Sequence, residues 1–94
     1  MAKSDLLAHH RDDAVAVAVR DVEPGISSVA YLDDSPGMSV KVIEQVPLGH
    51  KVALQDLAAG AEVIEYSAVI GRTTCDIRTG EHVHVHNVKG ERWA

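Results

Sequence analysis

Three five-residue stretches of this chain share one pattern, and that pattern restricts the fold more than composition does. Asp21-Val22-Glu23-Pro24-Gly25, Asp56-Leu57-Ala58-Ala59-Gly60 and Asp76-Ile77-Arg78-Thr79-Gly80 each run Asp, aliphatic, two residues, Gly. The last two copies agree further: a Glu follows the glycine by one or two residues, and Val63 or Val83 stands three after it. Such a stretch reads as a corner. The aspartate accepts backbone N–H bonds in a tight turn, the aliphatic side chain plugs into the core, and glycine supplies a positive φ before the next strand. Repeated corners with little helical signal require a compact, folded-over β structure.

The segments between corners read as short strands. Leu6 to His9 is the first, closed by a turn at Arg11-Asp12-Asp13. Ala14 to Val19 alternates alanine and valine; both faces are apolar, so it belongs inside a sheet. Ile26 to Leu32 follows, then a loop at Asp33-Asp34-Ser35-Pro36-Gly37. Further strands are predicted over Ser39 to Val46, Val52 to Leu54, Glu62 to Tyr66 and Glu81 to Val88. Helix is limited to a turn or two between Ala53 and Ala59. The expectation is mostly β with little helix: one domain over 6–93, a flexible N-terminus over 1–5, and a tail over 89–94.

Composition excludes several partners. A chain of 94 residues holds one small domain, and with no Phe, one Trp and two Tyr its core rests on valine and alanine. A net charge of −5 argues against nucleic acid and against an acidic membrane surface. The single Cys75 excludes an internal disulfide, and the charged start Met1-Ala2-Lys3-Ser4-Asp5 is unlike a signal peptide, so a cytoplasmic location is expected. Cys75 itself reads as a small, at least half-buried residue.

Chemistry concentrates in two places. In Glu81-His82-Val83-His84-Val85-His86-Asn87, period-two alternation places three of the six histidines on one strand face. Same-face neighbours stand about 6.5–7 Å apart, so His84 and His86 can converge on one metal ion or one anion. His82 is expected further out along the face. The Asn87 amide can hold a ligand oxygen or fix an imidazole tautomer. The second place is Gly49-His50-Lys51, a corner that sets a cation beside an imidazole, suited to a carboxylate or sulfonate; Lys51 would also keep its neighbouring imidazole neutral. Arg72 is a further anion anchor, and Tyr66 and Ser67 are polar groups near it. A solvated, histidine-rich surface is the alternative reading of both stretches. His9 and His10 read as strand-end surface residues, and Asp56 and Asp76 as turn residues.

These residues carry a resemblance. Pro47 to Leu57, Val63-Ile64-Glu65-Tyr66, Ile70-Gly71-Arg72 and Gly80 to Asn87 resemble the SAF domain of the UxaA-type lyases, which include altronate dehydratase, galactarate dehydratase and (2R)-sulfolactate sulfo-lyase. The similarity spans roughly residues 6–93; Ser67 departs from it, where the family tends to have Gly. The resemblance implies a β-clip fold, a long hairpin folded over twice. It implies a lyase that removes water or sulfite β to the carboxylate of a small hydroxy acid, with a divalent metal such as iron. The end at Lys89-Gly90-Glu91-Arg92-Trp93-Ala94 is similar to stand-alone small subunits of the family.

The expectation that results is a subunit inactive by itself. It forms one wall of a site shared with a large catalytic subunit, which holds or shares the metal. His50, His84 and His86 are its expected catalytic groups and Lys51, Arg72 and Asn87 its substrate contacts. His84 and His86 are the expected metal ligands, and Trp93 is expected to dock on the partner. The competing class is a non-catalytic module that binds a carbohydrate or assists assembly.

Overall fold

The computed structural model describes residues 4–66 and 68–90. Their regular structure is all strand: β1 (Leu6–Ala8), β2 (Val15–Ala18), β3 (Gly25–Tyr31), β4 (Met38–Val42), β5 (Lys51–Ala53), β6 (Glu62–Glu65), β7 (Ala68–Thr73), β8 (His82–Val83) and β9 (Val88–Gly90). The mostly-β expectation holds. Among the described residues no helix is long and apolar enough to cross a membrane.

The strands make a six-stranded sheet ordered β4-β3-β1-β2-β5-β8 and a three-stranded sheet ordered β6-β7-β9. Only β1 and β3 run parallel; the other pairs are antiparallel. As its two apolar faces require, β2 is buried on both sides. Ala16 and Ala18 face a core with Leu6, Val29, Val42 and Val52, while Val15 joins Ala53, Val63, Ile77 and Val83 in a second core. The three-stranded sheet contributes Val63 to that second core, so it covers part of the larger sheet's other face.

The corners pair with one another. Leu57 and Ile77 exchange two backbone bonds of 2.7 Å, and the carboxylates cross over: Asp56 accepts the Thr79 amide at 2.8 Å and Asp76 the Ala59 amide at 2.9 Å. The first corner has a partner that its sequence disguises. Val22 and Val46 exchange bonds of 2.8 and 2.9 Å, and Asp21 accepts the Leu48 amide at 2.9 Å. Gln45-Val46-Pro47-Leu48-Gly49 is therefore a fourth corner with Gln in place of Asp, and Gly25, Gly49, Gly60 and Gly80 all have positive φ. The last three corners share one turn, in which His50, Ala61 and Glu81 donate to the carbonyls of Pro47, Ala58 and Arg78, each at 3.0 Å. This places His50 where the chain enters β5.

Several expectations shift. Glu81 to Val88 is not one strand; it breaks into β8, a turn over 84–87, and β9. Lys89 and Gly90, expected in the tail, pair with Arg72 and Gly71. Asp5, expected in a flexible end, donates its amide to Ser28 and faces Arg20 at 3.6 Å. Cys75 is exposed because it lies in a bend outside both cores. Ser67 and Trp93 lie outside the described residues.

His9 and His10 are half-buried and lie against the Tyr66 ring, at 4.6 and 5.3 Å. The buried Asp13 holds this arrangement. Its carboxylate accepts the amides of His9 (3.0 Å) and His10 (3.3 Å) and, from across the fold, that of Tyr66 (2.8 Å). Tyr66 is thus held with a positive φ of 55° and is directed to His9 and His10.

Candidate functional site

The histidine stretch departs from a strand because Asn87 imitates backbone. Its Oδ1 accepts the His84 amide at 3.0 Å and its Nδ2 donates to the His82 carbonyl at 2.8 Å. The amides of Asn87 and Val88 both return to the His84 carbonyl. Buried at 3 % exposure, Asn87 closes the turn with both ends of its amide engaged by backbone. The turn folds the imidazoles back over the edge of the sheet, where β8 is the outermost strand.

Four imidazoles meet there. His84 lies face to face with His50, ring centres 3.8 Å apart and planes 15° from parallel. His50 Nδ1 and His82 Nε2 are 2.7 Å apart, a hydrogen bond. His86 reaches the group only through His82, ring centres 4.9 Å apart. The expected trio of His50, His84 and His86 with His82 outlying is therefore corrected: His82 is central and His86 peripheral. The reason is the turn at His84, which ends the strand spacing that would have separated His82 from its neighbours. Glu44 fixes the near end of the group by accepting the His82 amide at 3.1 Å.

A pocket of about 310 Å³ opens beside the rings, lined by Lys51, Glu65, Ile70, Val83, His84, Val85, Val88 and Gly90. Register explains its position. Val17, Lys51 and Val83 lie in one row across β2, β5 and β8, so Lys51 points to the face that the three-stranded sheet partly covers. The pocket offers one ammonium, one imidazole and one carboxylate over apolar walls, the make-up of a small-molecule site.

Electrostatics keep two of the rings neutral. Loss of hydration, followed by the His50 ring and the Lys51 ammonium, holds His84 below the ordinary histidine value. His82 is held down by burial first, then by His86 and His50, against a smaller opposing pull from Glu44. Lys51 thus acts on His84, with which it lines the pocket. Neutral imidazole offers one N–H and one lone pair and can act as acid or base.

Residues 4–91 match the family of the altronate/galactarate dehydratase SAF domain. The chain belongs to that family. Over 91 residues it is 46% identical to the (2R)-sulfolactate sulfo-lyase subunit alpha of Chromohalobacter salexigens, covering 95% of this chain and 97% of that one. The same subunit of Paracoccus pantotrophus is 52% identical over 48 residues, 51% of this chain and 72% of the relative. Altronate dehydratase of Bacillus subtilis is 39% identical over 80 residues, which is 85% of this chain and 15% of that enzyme. The SAF domain is thus nearly the whole of one relative and a small part of another. All three relatives are named as lyases or parts of them.

Within this SAF domain the remaining expected site residues separate. Arg72 pairs with Glu62 at 3.2 Å on the exposed β6–β7 ladder, away from the residues that line the pocket. Glu65 has no site role in the sequence reading, where it stands within the resembling stretch Val63-Ile64-Glu65-Tyr66, yet it lines the pocket. Among the described residues no group of three or more His, Cys, Asp or Glu is arranged to hold a metal ion. The expected metal pair, His84 and His86, offers two imidazoles, and a metal held there would need further ligands from outside this group.

Proposed function

We propose that this SAF domain is the small subunit of a two-chain lyase that eliminates sulfite or water from a small anionic 2-hydroxy acid. It supplies one wall of a site completed by a large catalytic subunit. The observation that carries the reading is the pocket in which Lys51 and a neutral His84 share a wall, with His50 stacked behind. The names of the relatives, a sulfolactate sulfo-lyase subunit and two sugar-acid dehydratases, support the reaction class.

Elimination takes a proton from the carbon beside the carboxylate. That electron pair forms the C=C bond, and the C–S or C–O bond breaks to release sulfite or hydroxide. In this reading Lys51 holds the substrate anion and offsets the charge that builds up on its carboxylate. His84, neutral and facing the same pocket, takes a proton or returns one to the leaving group. Stacking on His50 holds the His84 ring in place. The divalent metal, iron in the family reading, belongs here to the large subunit.

Co-expression with the large subunit, followed by assay of (2R)-sulfolactate for sulfite release and of altronate and galactarate for dehydration, tests the proposal. Turnover is expected from the complex and from neither chain alone. Turnover by the 94-residue chain by itself would refute the shared site. A stable complex inactive on all three acids would favour a binding module.

A further inference from the structure

The carboxylate in the pocket has no task in that reaction scheme. Among the lining residues Lys51 contributes an ammonium and Glu65 a carboxylate, and the rest of the wall is imidazole and apolar. We propose that Glu65 sets the charge selectivity of this pocket. An acid with one anionic group and hydroxyls at its far end is taken; an acid with a second anionic group there is disfavoured. Selection of this kind rests on the lyase reading and narrows its hydroxy acids to the monoanionic, polyhydroxy class.

The two sheets supply the two charges. Lys51 stands in the row Val17, Lys51, Val83 of the larger sheet, and Glu65 comes from β6 of the smaller one. The pairing of β6 with β7 shifts from Val63 with Gly71 to Ile64 with Val69. The extra residue, Ile70, is therefore on β7, and alternation along β6 is kept. Half-buried Glu65 thus shares the strand face of Val63, which is buried in the second core. Its backbone is held on both sides from across the fold. The Ile64 carbonyl accepts the Ala14 amide at 2.8 Å, and the Tyr66 amide donates to Asp13 at 2.8 Å. Glu62, Arg72 and Lys89 form a row of their own across the smaller sheet, on the face opposite the row of Val63, Gly71 and Gly90.

Among the described residues Lys51 and Glu65 form no ion pair with each other, so neither cancels the other inside the pocket. A ligand between them meets a donor at one end and an acceptor at the other. An ionised carboxylate accepts hydrogen bonds and donates none. Hydroxyls satisfy it, whereas a sulfonate or a second carboxylate brings only lone pairs and like charge. Opposed like charges are a general means of rejecting the wrong partner. Lys51 attracts all such acids alike, so Glu65 makes the difference between them.

The test uses the complex with the large subunit and three acids. Altronate has one carboxylate, galactarate two, and (2R)-sulfolactate a carboxylate and a sulfonate. The unmodified complex is expected to prefer altronate in kcat/KM. Glu65→Gln keeps the shape and an acceptor oxygen but removes the charge. It should raise kcat/KM for the two dianions about tenfold or more relative to altronate. Glu62→Gln makes the same charge change on the other face of the sheet and should leave that ratio where it was. A complex that prefers a dianion, a ratio that Glu65→Gln does not move, or an equal effect of Glu62→Gln would overturn the proposal.

If the complex eliminates nothing, the lyase reading fails, and calorimetric titration with altronate and galactarate decides the selectivity by itself. Weaker binding of galactarate that Glu65→Gln restores would support it. Galactarate bound as tightly as altronate or more so, a difference that Glu65→Gln leaves in place, or binding of neither acid would overturn it.

Discussion

Leu57 and Ile77 each donate to and accept from the other across the second pair of corners, both bonds at 2.7 Å. With exposures of 6 % and 1 %, they bring two turns and one core to a single point. Ile77→Ala is expected to cost about 3 kcal/mol and Leu57→Ala a similar amount, the usual range for emptying a buried aliphatic site. Because the two are in contact, the double variant should cost less than the sum. Urea melts of the four chains check this; additive losses would mean that the corners are independent.

The corner glycines are not equivalent. Gly60 needs its positive φ of 82° but has open space where a Cβ would stand, while at Gly80, φ 92°, a Cβ would run into the Lys41 carbonyl. Gly60→Ala should therefore cost about 1–2 kcal/mol from backbone strain alone. Gly80→Ala should cost clearly more and disturb β8. Comparing their melting temperatures, and the histidine resonances of each, separates strain from collision.

Acid should weaken the fold through the ring group. His82 and His84 bind a proton less readily folded than unfolded, for which the ordinary value is 6.5. Their contribution is complete above that value and is lost as the pH falls below it toward their folded values. A second loss is expected below the ordinary aspartate value of 3.8, since Asp56 is held low by its bonds to Thr79. Melting temperature measured across this range should fall in those two windows. In a His82→Gln, His84→Gln chain the upper fall should shrink; if it does not, the sensitivity does not come from these two rings.

Kinetics in the complex should rank the pocket residues by position. Lys51→Ala is expected to raise KM about tenfold or more, the loss of one charge-assisted contact. His84→Ala should lower kcat more than His86→Ala does, because His84 lines the pocket while His86 reaches the rings only through His82. Equal losses at both histidines would indicate a disturbed turn and not a role for either ring.

Much of the fold could be read from local pattern, and the misses have local causes. The Asp-to-Gly spacing revealed three corners, but the fourth was hidden because Gln45 replaces Asp and pairs with Glu23 at 2.7 Å instead of capping an amide. The strand β7 was missed because Gly71 resembles a terminus. In the structure β9 passes so close that any Cβ there would meet the Lys89 carbonyl and the Val88 side chain. His50 and His84 could be named from residue type alone. Their contact could not, because period-two alternation conceals a turn whose only sign is Asn87, a residue that favours turns. The place of His82 depends on that turn and was misread with it. Asp13 looked like an ordinary turn residue, and its bond to Tyr66, 53 positions away, leaves no trace in local sequence.

The parallel pairing of β1 with β3 has a consequence for the order of assembly. Leu6 lies between Ala18 and Val29, so the first strand gains both neighbours once residue 31 has been made, and residues 6–42 already hold four adjoining strands of the larger sheet. The imidazole edge cannot close then, because β8 must wait for β5 and for the corners on either side of the three-stranded sheet. Late, long-range pairing is slow, and edges that form last open first. A partly unfolded chain is thus expected to keep its first four strands while His50 has already parted from His82 and His84, so that loss of the ring contacts precedes loss of the protein.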